Sequence, residues 1–414
     1  MKRLLVLLLS AAITLTAFTG CVKGTQNSGD VNSADSEDVY VEPEPIYDPE
    51  FLTGLPKGDD YDNDSRVVAV MINNISACRP QRGISDAEVL VESKVEGGIT
   101  RFMALFHDYS KVGGDIGPVR SGRDQFLQLA MPLNALYLHI GRSGVTQTYI
   151  DTYDYNDSDL DGQYKIFTEY DQKRINRGYS SEHTAFTDPE KLTETFEKYD
   201  YETEFTYSSP WLDFVNYNDY ENGIRELAGE SAKEISVTHS NSYRTYFDYN
   251  EETGLYEMSR LGRNGVQATI DDNNGKQLAF ENVFVLFSDI TTYPYPGGNL
   301  DKNGNDKGNP NYQKVDYMTG CVGYYFSNGR VEKIRWSKGE AVSILKLTDW
   351  DENSLKVNCG KTYIGIVDLD EFYNFAYAGD EEQLPDEEIV VNSGEEVETG
   401  EDVTDYDMGV NVKG

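Results

Sequence analysis

The chain has 414 residues, with 72 acidic and 36 basic side chains and a formal net charge of -36 at pH 7. A chain this negative repels polyanions, so the composition argues against a nucleic-acid partner and against docking on an anionic lipid surface. The length is sufficient for two folded domains between irregular ends.

The first 21 residues predict an export signal with a lipidation site. Lys2 and Arg3 precede an apolar run, residues 4–17, which is followed by FTGC at 18–21. A positive start and an apolar stretch are typical of a signal peptide rather than of a folded element. The small residue before Cys21 resembles the lipobox of bacterial lipoproteins. The resemblance implies cleavage before Cys21 and lipidation there, which would hold the protein on the extracytoplasmic face of the cell membrane.

Two segments flank the part that we expect to fold. Residues 22–50 are rich in Gly, Ser, Asn, Asp and Glu, and they predict a flexible acidic linker because they hold too few apolar side chains for a core. Residues 379–414 predict a disordered acidic tail for the same reason.

Residues 51–200 predict an α/β domain. Its apolar runs are short and nearly continuous, as in strands buried on both faces of a sheet; they are Val67–Ile72, Ala87–Val95, Phe102–Phe106 and Leu136–Ile140. Apolar residues at helical spacing predict a helix over Ser121–Leu133, with Ser121 as its N-cap. Thr187 and Glu190 have capping-box spacing and predict the start of a second helix.

Residues 232–372 predict a mostly antiparallel β domain. Its runs of β-branched and aromatic residues are short and separated by turn residues; they are Glu234–His239, Tyr243–Tyr249, Leu255–Leu261, Val283–Phe287, Cys321–Phe326, Val331–Trp336, Val342–Leu347 and Tyr363–Val367. Asn328-Gly329 lies between two of these runs and predicts a hairpin, because the tight turn needs positive φ at both positions. The two domains together predict an α+β fold.

The cysteines set few constraints. Besides Cys21 the chain has Cys78, Cys321 and Cys359, an odd number that leaves at least one thiol free. An exported protein could form a disulfide between Cys321 and Cys359, and free buried thiols are the other interpretation. No spacing is typical of a zinc site.

The charged segment 88–124 holds the best candidate for a ligand site. Two glycine-containing turns bring its charged side chains together; they are Glu92, Glu96, Arg101, Arg120 and Arg123. Arginines beside the predicted helix start at Ser121 would bind a carboxylate, a phosphate or a phosphodiester. The alternative is an internal ion-pair network of the same arginines with these carboxylates and Asp115.

Two histidines are candidates for acid–base catalysis together with Glu96. His139 ends an apolar run before a turn, and His183 lies just before the second predicted helix. An imidazole could exchange protons with a substrate near neutral pH. Structural histidines are the other interpretation, and the sequence has no nucleophile elbow, HExxH helix or P-loop.

Asp157, Asp159 and Asp161, followed by Gly162, match the first half of a calcium-binding loop. The glutamate expected at the end of such a loop is replaced by Thr168. Because Ca2+ needs about six to eight oxygen ligands, half of the motif supplies too few. We therefore expect no cofactor, with only weak support for Ca2+. The stretch 301–306 is a poorer match, since its glycine is misplaced.

Several longer motifs resemble the YerB-like bacterial lipoproteins. They are FLTGL at 51–55, VAVMINN at 68–74, RPQ at 79–81, EGGITRF at 96–102, IGPVRS at 116–121, WSK at 336–338 and GKTYI at 360–364. The resemblance covers nearly all of the region expected to fold. It implies a lipidated N terminus followed by an N-terminal and a C-terminal domain, in a family without an agreed reaction.

Together these features predict a lipid-anchored envelope protein of Gram-positive type that binds an anionic ligand in a cleft of its first domain. Its partner would be a cell-wall component or another envelope protein. One alternative is a hydrolase or transferase acting on a wall glycan, phosphodiester or peptide, with Glu96 and His139 as acid and base. Another is a protein-interaction module that uses exposed strand edges and aromatic side chains of the second domain.

Overall fold

The computed structural model describes residues 47–380 and Leu384, apart from 63, 163–168, 263 and 294–310. The predictions for Cys21, for the linker up to residue 46, for the tail beyond Leu384, for Thr168 and for 301–306 fall outside the described residues. Within the described ranges, no helix has the length and apolar character needed to cross a membrane.

The first half of the described chain alternates strands and helices. They are β1 (Val68–Asn73), β2 (Val89–Lys94), β3 (Thr100–Phe106), α1 (Asp124–Ala130), β4 (Leu136–His139), α2 (Gly144–Thr152), β5 (Asp159–Asp161), β6 (Glu169–Tyr170), α3 (Gln172–Asn176), β7 (Ala185–Phe186) and α4 (Pro189–Tyr199).

The second half is built mainly from strands. They are β8 (Glu234–Ser240), β9 (Tyr243–Asn250), β10 (Leu255–Gly262), β11 (Gly265–Ala268), β12 (Ala279–Phe280), β13 (Asn282–Ser288), β14 (Ile290–Thr292), β15 (Gln313–Val315), β16 (Cys321–Ser327), β17 (Arg330–Ser337), β18 (Lys346–Thr348), β19 (Thr362–Asp368) and β20 (Ala376–Ala378).

Strands from both halves form one ten-stranded sheet in the order β18-β17-β16-β13-β19-β2-β3-β1-β4-β5. Strands β1 and β4 are parallel, as are β13, β19 and β2, whereas β3 runs antiparallel between β2 and β1. Strand β19 pairs with β2, so Ile364 of the second half lies opposite Val91 of the first half. The α+β fold class is confirmed, and the two halves of the chain are joined through this shared sheet.

The alternation of side chains along the shared sheet divides the core into two layers. On one face, Met71 and Val91 pack with Phe126 of α1. On the other face, Val70 and Leu90 belong to a second cluster, together with the side chains that β8, β9, β10 and α4 contribute. Strands β8–β12 and β20 form a separate antiparallel sheet that covers this second face. Such burial on both faces explains the nearly continuous apolar runs of the central strands.

The helix starts differ from the predicted ones. Helix α1 begins at Asp124, with Arg123 rather than Ser121 in the N-cap position. The chain before it is still extended, because Gly122 donates its N–H to the carbonyl of Gly141 at 2.9 Å. Helix α4 is capped by Asp188, since Thr187 is still paired with Ile116 in an extended bridge. The predicted caps were wrong because Gly122, which follows Ser121, and Thr187 are each in a β-type bridge.

We expect Asp188→Ala to lower the free energy of unfolding by about 1 kcal/mol, because the Asp188 carboxylate accepts the N–H of Lys191 at 2.8 Å. Ser121→Ala is the control at the cap predicted from the sequence and should lower the free energy of unfolding less, since the Ser121 side chain caps no helix. Urea denaturation measures both. Equal losses would contradict the assignment of the cap to Asp188.

The remaining predictions for the second half have mixed outcomes. The hairpin at Asn328-Gly329 is confirmed, with φ values of 51° and 69° between β16 and β17. The strand predicted over Val342–Leu347 is wrong for most of its length, because only Lys346–Thr348 forms β18. The disulfide between Cys321 and Cys359 is absent, since both residues are free thiols in this part of the chain. The Cys359 thiol instead donates to the carbonyl of Gly54 at 3.1 Å.

Candidate functional site

One edge of the shared sheet collects most of the residues that the sequence singled out. Strands β1, β2, β4, β5, β13 and β19 all point the same way, so their carboxyl ends meet at this edge. Carboxyl ends of strands are the usual location of ligands in α/β sheets. The structure nevertheless divides the predicted site residues among separate groups with different partners.

Glu96, Arg101 and Arg123 form the first group. Arg101 Nη2 lies 3.2 Å from Glu96 Oε1, and Arg123 Nε donates to Glu96 Oε2 at 3.0 Å. Arg101 also donates from Nη1 to the carbonyl of Ser121 at 2.5 Å. All three charged side chains are buried. Burial by itself would raise the pKa of Glu96, but Arg123 and Arg101 lower it to about 2. This is an internal ion-pair network of the kind proposed as the alternative.

Arg120 does not join the first group. Its Nη2 lies 3.2 Å from Oε2 of Glu182, which also faces Nε2 of His183 at 3.4 Å. His183 Nδ1 is 3.1 Å from the amide nitrogen of Asn73. Burial lowers the pKa of His183, against the opposing effect of Glu182. Arg120 and His183 are therefore neighbours around Glu182 rather than around Glu96.

His139 lies in a third group. Its Nε2 is 2.7 Å from Asp159 Oδ1, and its Nδ1 is 2.9 Å from the carbonyl of Gly141. Arg142 Nη1 binds both Asp159, at 2.7 Å, and Asp161, at 3.2 Å. Glu96 and His139, the two candidates for acid and base, thus have different partners. Asp159 and Asp161, two carboxylates of the half calcium motif, thus bind arginine, while the third, Asp157, is exposed.

The described parts of residues 47–380 and Leu384 contain no cluster of three or more His, Cys, Asp or Glu side chains that could hold a metal ion.

Glu92 lies on the opposite face of the sheet from Glu96. It is 1% exposed, yet its oxygens accept four hydrogen bonds at 2.7–2.9 Å; the donors are Asn74, Thr100, Thr245 and Tyr363. Burial by itself would raise the pKa of Glu92, but His239 and the hydroxyl donors lower it to about 2. Since Thr245 and Tyr363 belong to the second half of the chain, Glu92 ties the two halves together.

Arg260 of β10 lies next to this network and was not predicted as a site residue. It is 3% exposed. It donates from Nη2 to Gln81 Oε1 at 3.0 Å and from Nε to Thr269 Oγ1 at 2.8 Å, and Nη1 binds the side-chain oxygen of Asn74. All three acceptors are uncharged, and no described carboxylate lies within ion-pair distance of Arg260. Burial and the charge of Arg79 lower the pKa of Arg260 to about 9, which leaves it charged at neutral pH.

Arg79 is the second unexpected arginine. It donates from Nη1 to the carbonyl of Leu261 at 2.9 Å and from Nη2 to the carbonyl of Asn74 at 3.3 Å. Its Nε is buried and has no hydrogen-bond partner in the described part of the chain. Here too, no described carboxylate forms an ion pair with the guanidinium. Burial lowers the pKa of Arg79 from its ordinary value.

Both arginines line one open groove of about 700 Å³ between the turn at 76–80 and the β10–β11 hairpin. We call this the seam groove, because one wall comes from each half of the chain. The rest of the lining is uncharged; it includes Ser76, Pro80, Gln267 and Ile270. A concave site with a few convergent polar groups is the usual form of a small-molecule site.

The turn that carries Arg79 is held in place from behind. Arg174 donates to the carbonyl of Cys78 at 2.9 Å and to the carbonyl of Pro80 at 2.5 Å. The amide of Gln81 also donates to the carbonyl of Asn73 at 2.9 Å. The sequence signal that could have pointed to this site is the RPQ motif at 79–81, shortly after the buried strand β1, which entered the sequence analysis only as part of the family resemblance. No local signal pointed to Arg260, which is distant in sequence.

Comparisons with known proteins agree with this architecture. The family described as "Protein of unknown function (DUF3048) N-terminal domain" matches residues 52–202, and its C-terminal domain matches residues 234–364. "Putative lipoprotein YerB" of Bacillus subtilis (strain 168) is 28% identical over 325 residues, which are 77% of this chain and 86% of that protein. A crystal structure of the YerB protein from Bacillus subtilis shares the fold, with a TM-score of 0.61 and 23% identity over 80% of this chain and 99% of that chain. The chain therefore belongs to the YerB-like family defined by the paired DUF3048 domains.

Proposed function

We propose that this protein is a lipid-anchored, extracytoplasmic binding protein that holds an anionic ligand in the seam groove, on Arg79 and Arg260. The observation that supports this most directly is the lack of any described carboxylate partner for two neighbouring guanidinium groups, of which Arg260 is buried and Arg79 is partly buried. The chain has 72 acidic residues, so one of its own carboxylates would be the simplest partner for these two guanidinium groups. Buried charges are normally paired, and an external anion would supply the missing partner.

The geometry of the two arginines suits an oxyanion. A guanidinium presents planar N–H donors that match the oxygens of a carboxylate or phosphate group. Nη1 and Nη2 of Arg79 each donate to a backbone carbonyl, and Nη1 and Nη2 of Arg260 each donate to an uncharged side-chain oxygen. Each of these nitrogens carries a second N–H. The acid group of a ligand would therefore add charge-assisted hydrogen bonds to donors that are already oriented.

The groups at Glu96 and His139 support binding less well. Arg101 and Arg123 already share the carboxylate of Glu96 in a buried cluster, and Asp159 engages His139. A ligand there would have to displace internal ion pairs, which is costly when one charge is left unpaired. The seam groove needs no such displacement.

Two features outside the groove support the proposed location. Cys21 follows an apolar export segment in the sequence, and the related YerB protein is named a lipoprotein. Lipidation at Cys21 would tether the folded part to the outer surface of the membrane. The groove would then meet ligands of the cell envelope, for which a cell-wall component or another envelope protein is the proposed partner.

Arg79→Gln should weaken the binding of dimethyl phosphate or acetate by at least about tenfold, because it removes one charge and one oriented donor from the groove. Isothermal titration calorimetry on the full-length chain measures the affinity. Arg335→Gln is the matched control, since it removes an exposed arginine on β17 that stacks on Trp350 at 4.5 Å. Equal affinities for the wild type and Arg79→Gln would contradict the proposal.

A further inference from the structure

We infer that the acid group held in the seam groove carries a single negative charge, as in a phosphodiester or a carboxylate, and is attached to an uncharged polar body. This inference rests on the proposed function and specifies its ligand class. It follows from the charges that are buried around the groove and from the uncharged lining of its walls.

The charge balance includes Glu92 as well as the two arginines. Asn74 connects them, because its amide donates to Glu92 Oε1 at 2.9 Å while its oxygen accepts from Arg260. Two guanidinium charges and one carboxylate charge leave a net charge of about +1 in this buried group. A ligand acid group with a single negative charge would neutralise this net charge.

His239 also lies beside Glu92, with Nε2 at 3.5 Å from Oε2. It is fully buried, and its Nδ1 has no hydrogen-bond partner among the described residues. His239 is not part of the groove lining.

A second charge on the ligand would have no partner in the groove. The residues of the lining other than the two arginines are uncharged, and they include Ser76, Pro80, Gln267 and Ile270. Removing a charge from water without a partner is unfavourable, so a dianion should lose more in desolvation than it gains here. The same polar and apolar lining would contact the neutral part of the ligand.

The test compares three small anions with the full-length chain by calorimetry at about pH 8. Dimethyl phosphate and acetate are monoanions, whereas methyl phosphate is then mainly a dianion, because the second pKa of a phosphate monoester is about 6. We expect at least one monoanion to bind about threefold or more tightly than methyl phosphate. The ranking of dimethyl phosphate against acetate distinguishes a phosphodiester ligand from a carboxylate ligand.

Tighter binding of methyl phosphate than of both monoanions would overturn the inference while leaving the proposed function intact. If Arg79→Gln changes the affinity for none of the three anions, the proposed function itself fails. Glu92→Gln should shift the preference toward methyl phosphate, since it raises the local net charge to about +2. Circular dichroism checks that this variant is folded; if it is not, the comparison in the wild type decides alone.

Discussion

Replacing Arg260 with lysine is expected to weaken the binding of dimethyl phosphate by about tenfold or more, although the formal charge is unchanged. The guanidinium of Arg260 is oriented by Gln81, Thr269 and Asn74, and a lysine ammonium cannot reproduce that fork of donors. A loss with the charge preserved would show that the groove recognises geometry and not only electrostatic potential.

The affinity is measured by calorimetry, and the unfolding free energy of the same variant is measured in urea. Some destabilisation is expected, because three uncharged acceptors lose their donor; we estimate about 1–3 kcal/mol. Lys338→Arg is a reciprocal control at a buried lysine, whose Nζ donates to the carbonyls of Glu340 and Ala341 and not to the groove. An unchanged affinity in folded Arg260→Lys would remove Arg260 from the site.

Glu92→Ala is expected to cause the largest loss of stability, about 3–5 kcal/mol. The substitution leaves four donors without their acceptor and leaves the charge of Arg260 without the nearby carboxylate. Because the two halves share one sheet and Glu92 bonds to both, unfolding should remain a single transition. Chemical denaturation followed by fluorescence and by circular dichroism tests both statements.

The matched control is Glu226→Ala, which removes an exposed carboxylate that pairs with Arg330 at 3.1 Å. A surface pair of this kind contributes less than about 1 kcal/mol. Similar losses for the two variants, or two separate transitions in which Glu92→Ala affects only one, would contradict the role of Glu92 in joining the halves.

The stability should also fall in acid for a defined reason. The pKa values of Glu92 and Glu96 are lowered to about 2 in the folded chain, from 4.5 when unperturbed. Groups with a depressed folded pKa stabilise the fold above the unfolded value, and that contribution disappears as pH falls from about 4.5 toward 2. Denaturation curves over this range should show a smaller acid dependence in Glu96→Gln than in the wild type. An identical acid dependence in the two proteins would mean that Arg101 and Arg123 do not lower the pKa of Glu96.

Much of the architecture could be predicted because strands that are buried on both faces have nearly continuous apolar sequences. Strands β1 to β4 were placed within one or two residues, since both of their faces are apolar. The absence of caps at Ser121 and Thr187 could not be predicted from local spacing, because Gly122 and Thr187 pair with residues distant in sequence and keep the chain extended there. The pairing of β19 with β2 could not be predicted either, because neither strand has a sequence feature that identifies its neighbour in the sheet.

The site was harder to predict than the fold. Glu92 and Glu96 are close in sequence, but Glu92 faces the second sheet while Glu96 follows β2 and meets Arg101 and Arg123 on the other face. Grouping them by sequence proximity therefore combined two unrelated networks. Arg79 lies in a recognised motif, yet its meaning depends on Arg260, which only the folded chain brings beside it.

The most direct test of the seam groove is a titration of the Arg79 Nε–H resonance with dimethyl phosphate, observed by NMR in the full-length chain. That N–H has no described acceptor in the protein and belongs to the guanidinium that lines the groove, so an anion bound to this guanidinium should shift the resonance in a saturable way. The Arg79 signal is assigned by its loss in Arg79→Lys, and the exposed Arg335 serves as an internal reference. We predict saturation at Arg79 with little change at Arg335. A shift that does not saturate, or one that is equal at both residues, would contradict anion binding in the seam groove.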